Sequence, residues 1–293
     1  MRIVFIGAVE FSLRVLERLI SLGADIVGIC ALKESNLNAD HIDLASIGLA
    51  RGIPCYYPDD INSIETLAWV KSKAPDVIFC FGWSKLLKHG LLTLAPLGVV
   101  GFHPAALPAN RGRHPIIWAL VLGLDKTAST FFFMDSGADS GDIISQREVL
   151  IVDQDDARSL YDTVTSTALT QIEEFLPQLA SGQVQRVKQS ELHVNTWRKR
   201  GRADGIIDWR MSAKSIHNLV RGLTKPYVGA HFVVAGQEIK VWKTDIYSYS
   251  EKNIEPGKLL LWPSYGPVVK CGDGAICLIE VEPNFESKVG DYL

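Results

Sequence analysis

Over the first eighty positions the apolar residues fall into two alternating patterns. Short apolar runs rich in β-branched residues (IVFIG, DIVGIC, IPCYY and DVIFCF) are separated by stretches whose apolar residues recur at three- and four-residue spacing, EFSLRVLERLISL being the clearest. A short apolar run has strand length, and the longer spacing puts one apolar stripe on a helix. The pattern therefore predicts strand-helix-strand repeats, with helices over 10–22, within 34–51 and over 62–73. Such repeats fold with right-handed crossovers into a parallel sheet.

Further along, FFFMDSGADSGDII reads as an aromatic strand breaking into a loop with three aspartates, and ADSGDIISQREVLIV as a return strand. ARSLYDTVTSTALTQIEEFLPQLASG reads as a long amphipathic helix closed by Gly182. Between 183 and 203 the period is lost and Arg198, Lys199, Arg200 and Arg202 gather, which marks a linker or a strap. After it, one helix at SAKSIHNLVRGL precedes five short runs, GAHFVVAG, EIKVWKTDIY, KLLLW, PVVKC and AICLIEV, punctuated by Gly, Pro and Asn. The expected fold class is α/β: a Rossmann-like, mostly parallel sheet domain over 1–185, a linker over 186–203, and a small β-rich, OB-like domain over 204–293. At 293 residues, 47% of them hydrophobic, the chain can bury one large core and one small one.

Composition narrows the setting. Cys30, Cys55, Cys80, Cys271 and Cys277 form no CxxC pair, and three lie in or beside strand-like runs, so they read as reduced thiols of a cytoplasmic protein rather than as disulfides or a zinc site. IVFIG is strand length with no basic segment before it, and no apolar run approaches the roughly 20 residues that span a bilayer, so neither secretion nor a membrane is expected. A formal charge of −3 argues against a polyanion as main partner. FIGAVEF carries one glycine where a dinucleotide fingerprint has three, which weakens a dehydrogenase reading.

The candidate chemistry centres on two motifs. His103 lies in GVVGFHPAALPANRGRHPIIWAL, where a β-rich run ends in a Pro- and Gly-punctuated loop, and Asp139 lies in the aspartate loop. An imidazole and a carboxylate at the ends of neighbouring strands occupy the usual place for chemistry in an open sheet. The imidazole can move a proton or hold negative charge near neutral pH. Asp135, Asp139 and Asp142 together suit a hard cation, but turn chemistry is the preferred reading of Asp135 and Asp142. Arg111, Arg113 and His114 add positive charge able to receive phosphates, with a structural link across the loop as the alternative for Arg111.

HPAxLPxxRG followed at this separation by GADSGDI resembles the folate-dependent formyltransferase family, and the likeness runs from IVFIGAVEFSLRVLERL to IHNLVRGLTKPYVGAHFVVAGQEIKVWK. The resemblance implies transfer of a formyl group from 10-formyltetrahydrofolate to an amine, without a metal. In that family an Asn-x-His pair and a later Asp act together. His103 and Asp139 match two of these, while Gly101 stands where the Asn belongs. Backbone N–H groups, a charged His103 or Asn110 are the donors left for an oxyanion, Asn110 serving otherwise to stabilise the PANRG turn. Gly101→Asn is expected to restore the missing amide where the backbone φ allows it. The run FCFGWSKLLKHGLL resembles the family's pterin loop, making Phe81, Gly82, Trp83, Leu86 and Leu87 the implied folate contacts, with Asp142 beside them. The first loop is implied to face the acceptor, with Val9, Glu10 and Phe11 at its border, unless Glu10 simply starts the helix.

Three acceptor classes fit: the methionyl group of initiator tRNA, a nucleotide-linked amino sugar, and a small phosphorylated amine. From residue 194 onward there are 14 Lys and Arg against 11 Asp and Glu, a small excess for a long polyanion, and ESNLNADHIDLAS over 34–46 is polar to acidic. An extra domain counts against the small phosphorylated amine. The favoured reading is an amino-sugar N-formyltransferase of cell-surface glycan synthesis, most like those of nonulosonic-acid (pseudaminic-type) pathways, its second domain serving architecture or homodimer formation. The alternatives are a methionyl-tRNA formyltransferase, a non-catalytic folate-binding protein, for which Gly101 is the argument, and a folate-dependent hydrolase releasing formate.

Overall fold

The protein is described by a computed structural model over residues 1–35 and 39–293. The elements in chain order are β1 (Arg2–Gly7), α1 (Glu10–Ser21), β2 (Asp25–Cys30), α2 (Ala45–Arg51), β3 (Cys55–Tyr56), α3 (Ile64–Ser72), β4 (Val77–Phe81), α4 (His89–Leu92), β5 (Val99–His103), β6 (Arg111–Gly112) and α5 (Pro115–Val121). They continue with β7 (Lys126–Phe133), β8 (Ile143–Leu150), α6 (Ala157–Ala180), β9 (Thr196–Trp197), α7 (Ala213–Leu223), β10 (Ala230–Val234), β11 (Gln237–Tyr247), β12 (Leu259–Leu261), β13 (Val268–Lys270) and β14 (Ala275–Glu282). The polar segment read over 34–46 includes residues 36–38, which lie outside the described residues.

The chain divides into two compact units. The first comprises Met1–Pro115, Thr127–Val149 and Asp162–Trp197; the second comprises Ile116–Lys126, Leu150–Tyr161 and Arg198–Leu293. In the first, seven strands run in the order β3-β2-β1-β4-β5-β7-β8. The pairs from β3 through β5 are parallel, and β7 runs antiparallel to β5. β1, β2, β4 and β5 are near-continuous apolar runs, as strands of a parallel sheet covered on both faces are. Val4, Ile6, Cys30, Ile78, Cys80 and Val99 pack on one side with Val70 and Leu91. On the other, edge-on pairs of Phe81 with Phe5, Phe11 and Phe131 build an aromatic core. Such pairs add about 0.5–1.5 kcal/mol each beyond their buried area.

In the second unit α7 packs on a five-stranded antiparallel sheet ordered β10-β11-β14-β13-β12. Its core holds Ile117, Trp209, Ile216, Leu219, Phe232, Ile239, Val241 and Ile276. The buried Arg221 donates to the carbonyls of Val152 (3.1 Å) and Asp155 (2.9 Å), so a cation inside this unit is spent on main-chain oxygens. All five cysteines are free thiols. Burial pushes Cys30 and Cys271 up to about 12, so neither is a thiolate near neutral pH. No helix among the described residues is long and apolar enough to cross a membrane.

Candidate active site

Strand order places the site. The chain starts at β1, moves outward to β3 and returns on the other side at β4, so the order reverses between β1 and β4, where open α/β sheets bind ligands beyond the strands' carboxyl ends. Ser12 ties that edge together: its buried Oγ donates to the Phe81 carbonyl at 2.7 Å and accepts the Val9 N–H at 3.3 Å. Nothing in the local sequence period marks it.

His103 ends β5 with its imidazole almost fully buried. Its Nε2 lies 2.7 Å from the Asn110 carbonyl, which can only accept, so Nε2 carries a proton. Its Nδ1 faces Asp139 Oδ2 at 3.8 Å. The same carboxylate oxygen accepts the Gly112 N–H at 2.9 Å. The imidazole thus lies between a carbonyl and a carboxylate, with one proton committed and the other ring nitrogen turned to an anion. That arrangement can accept a proton, or hold a charged ring next to developing negative charge.

The route of the carboxylate to the imidazole differs from the simple expectation of two strand ends side by side. β7 is antiparallel to β5, with His103 opposite Thr130 and Val100 opposite Phe133. The aspartate loop therefore leaves from the opposite edge of the sheet, and Asp139 reaches His103 only because the loop folds back. Asp139, Asn110 and His114 all adopt left-handed backbone, with φ of 55°, 63° and 57°. Each such non-glycine residue costs roughly 1–3 kcal/mol and persists only where its surroundings hold it. Gly112 has φ 103°, and a Cβ there would lie 2.3 Å from the Trp197 carbonyl, so the N–H that binds Asp139 requires glycine.

Gly101 has ordinary strand backbone, so its φ does not bar an asparagine. Space does: a Cβ at Gly101 would lie 2.8 Å from Met134 Cγ and 3.0 Å from Phe132 Cζ. The methionine occupies the room that a side chain at 101 would need, which corrects the expectation that φ alone decides whether an asparagine can be restored. Asn110 enters the site through its main chain, its carbonyl toward His103 and its N–H donating to Asn195 Oδ1 at 2.7 Å.

The other predicted site residues separate by exposure. Phe81 and Leu87 are closed off in the core, while Leu86 is 73% exposed. Gly82 follows β4 with φ 63°. Trp83 packs against the first unit's core, and its buried indole N–H has no acceptor among the described residues. Val9 and Phe11 are buried, Phe11 stacking on Phe102 at 4.1 Å, and Glu10 opens α1. Arg111 donates to Gln189 Oε1 at 2.8 Å and so acts as the structural link, and Arg113 donates to the Ser84 carbonyl at 2.8 Å, joining two of the predicted loops. Asp135 follows turn chemistry, accepting from the Gly137 N–H and the Ser140 hydroxyl; the Asp142 carbonyl accepts the Phe133 N–H at 2.8 Å.

The first unit is a mostly parallel α/β sheet with an imidazole facing a carboxylate at the end of β5. The family profile for formyl transferase matches residues 2–174, and that for the formyl transferase C-terminal domain matches residues 199–289. A methionyl-tRNA formyltransferase of Caldanaerobacter subterraneus subsp. tengcongensis is 30% identical, over the whole of this chain and 96% of that protein. WlaRD, a sugar 3N-formyl transferase solved with dTDP and 5-N-formyl-THF, shares the fold at TM-score 0.72 and 16% identity, covering 97% of this chain and 99% of its own. An N-formyltransferase from Helicobacter canadensis, in complex with folinic acid and dTDP-3-aminofucose, does so at 0.71 and 16%, covering 94% and 98%. The chain belongs to the formyl transferase family. It is an N-formyltransferase.

Proposed function

We propose that the acceptor is the amine of a nucleotide-linked amino sugar and that the reaction serves cell-surface glycan synthesis in the cytoplasm. One observation carries the choice over tRNA: of the fourteen Lys and Arg from residue 198 onward, eight are paired with carboxylates or buried. Arg198, Arg202, Arg210, Lys214 and Lys225 pair with Asp204, Glu238, Asp208, Asp153 and Glu280, and Arg200, Arg221 and Lys270 are buried. A long polyanion binds chiefly by counterion release from Lys and Arg, and the other six in this stretch are a small supply for it. The sugar enzymes of the same fold, which bind dTDP or a dTDP-sugar, support the reading.

His103 and Asp139 are assigned to the proton and charge work of the transfer, His103 toward the acceptor amine or the formyl oxygen and Asp139 holding the ring. Trp83, Gly82 and the aspartate loop with Asp142 would hold the folate. The orphaned Trp83 indole N–H fits a polar heterocycle that brings its own acceptor. When bound, the donor supplies an activated formyl carbon. The second unit takes an architectural or dimer-forming role.

The full-length likeness to methionyl-tRNA formyltransferases supports the second reading, formylation of charged initiator tRNA. The deciding experiment incubates the protein with 10-formyltetrahydrofolate and a panel of nucleotide-linked amino sugars, free amino sugars and charged initiator methionyl-tRNA, reading formylated product by mass. Product on a nucleotide-linked sugar is the expected result. Formylation of the tRNA at a rate matching any sugar would overturn the proposal.

A further inference from the structure

The stretch 175–198 lies outside both family profiles, and two of its side chains bond the main chain around the His103–Asp139 pair. Gln189, almost fully buried, donates through Nε2 to the carbonyls of Asp139 (2.9 Å) and Gly141 (2.8 Å), while its Oε1 accepts from Arg111. Asn195 accepts the Asn110 N–H through Oδ1, and its own carbonyl accepts the Arg111 N–H at 3.1 Å. The Asn110 carbonyl in turn takes His103 Nε2. β9, directly after Asn195, pairs in parallel with β6. Asn110 and Asp139 are two of the three left-handed residues described above, and each is gripped by one of these two amides.

We propose that Gln189 and Asn195 are positioning residues for formyl transfer, Asn195 orienting His103 through Asn110 and Gln189 orienting Asp139; this rests on the reading of that pair as the reacting unit. The two amides make opposite chemical demands. Asn195 is needed as an acceptor, a role that aspartate fills with the same shape. Gln189 is needed as a donor to two carbonyls, and glutamate would set a carboxylate against them. A residue needed only for folding would sort these variants in thermal midpoint, whereas a positioning residue sorts them in kcat and in the His103 ring signals.

The test compares Asn195→Ala, Asn195→Asp, Gln189→Ala and Gln189→Glu with His103→Ala and Asp139→Ala. It measures kcat and KM on the acceptor panel, 5-formyltetrahydrofolate binding by calorimetry, the thermal midpoint, and the His103 ring nitrogens by NMR of the protein alone. Asn195→Ala and both Gln189 variants should lower kcat on the order of 10- to 100-fold, the scale for a misplacement of about 1 Å, with folate affinity unchanged. Asn195→Asp should keep most of the activity, and only Asn195→Ala should shift the His103 Nε2 signal markedly. The proposal is overturned if the alanine variants keep wild-type kcat and ring signals, or if Asn195→Asp falls as far as Asn195→Ala while Gln189→Glu stays active. Retained turnover in His103→Ala and Asp139→Ala would instead sink the underlying reading of the pair, and the NMR signal would still report whether the Asn195–Asn110–His103 chain exists.

Discussion

Gly101 and Met134 should behave as one unit of packing. Gly101→Asn sets a Cβ 2.8 Å from Met134 Cγ, closer than packed side chains tolerate, and the remaining amide atoms extend from there. Overpacking of this kind costs about 1–3 kcal/mol. Met134→Ala removes a partly buried side chain, and its cost should fall near or below the lower end of the roughly 2–5 kcal/mol measured for buried Met→Ala changes. In the double variant the amide enters the space the methionine leaves, so the combined loss should be smaller than the sum of the single losses by about 1–2 kcal/mol, a coupling ordinary for touching residues. At roughly 2–4 °C per kcal/mol for a domain of this size, the difference is readable in thermal midpoints followed by tryptophan fluorescence. Turnover should be higher in the double variant than in Gly101→Asn alone. Strictly additive midpoints, or a Gly101→Asn protein as stable as wild type, would refute the idea that Met134 fills the place of the family's asparagine.

His103→Ala and Asp139→Ala should each lower turnover by about a hundredfold or more, with the double variant little worse than either; independent, multiplying losses would separate the two residues. Trp83→Phe keeps a smaller aromatic ring but removes the buried N–H, and should weaken 5-formyltetrahydrofolate binding in calorimetry, whereas unchanged affinity would take Trp83 out of the site. Asp204 is held well below the usual carboxylate range by the Arg198 guanidinium and then by the Gly201 N–H. A depressed carboxylate stabilises the fold above its unfolded pKa of about 4, and that contribution is lost as the pH falls further. Asp204→Asn should therefore be less stable than wild type at pH 7 and lose less on acidification below pH about 4; midpoints that stay parallel across this range would contradict the assignment.

The elements were legible because β1, β2, β4 and β5 are apolar on both faces and α1 carries an apolar stripe, signals contained within a few residues. The small sheet from β10 to β14 was equally visible from its Gly and Pro punctuation. His103 and Asp139 stood out through their motifs, but the path between them did not, since the antiparallel setting of β7 is a tertiary fact. Ser12, Gln189 and Asn195 left no trace because they act through one or two bonds to main-chain groups 48 to 85 residues away, which impose no period. Charge content does not show pairing: of the cluster Arg198, Lys199, Arg200 and Arg202, read as a linker or strap, Arg198 and Arg202 are in ion pairs and Arg200 is buried.

The two family profiles meet in sequence between residues 174 and 199, but the two cores are not divided there. Ile117, from α5 inside the first profile, is a buried member of the second core, and Ile116–Lys126 and Leu150–Tyr161 belong to the second unit. A gene fusion that simply appended the second profile's residues to an ancestral first domain would have joined a sheet lacking part of its own interior. The interleaving means that residues of the first profile complete the second unit's core. A chimera of two relatives cut at the profile boundary would inherit a mismatched core in its second unit, whereas one that also transfers 116–126 and 150–161 would carry a coherent set.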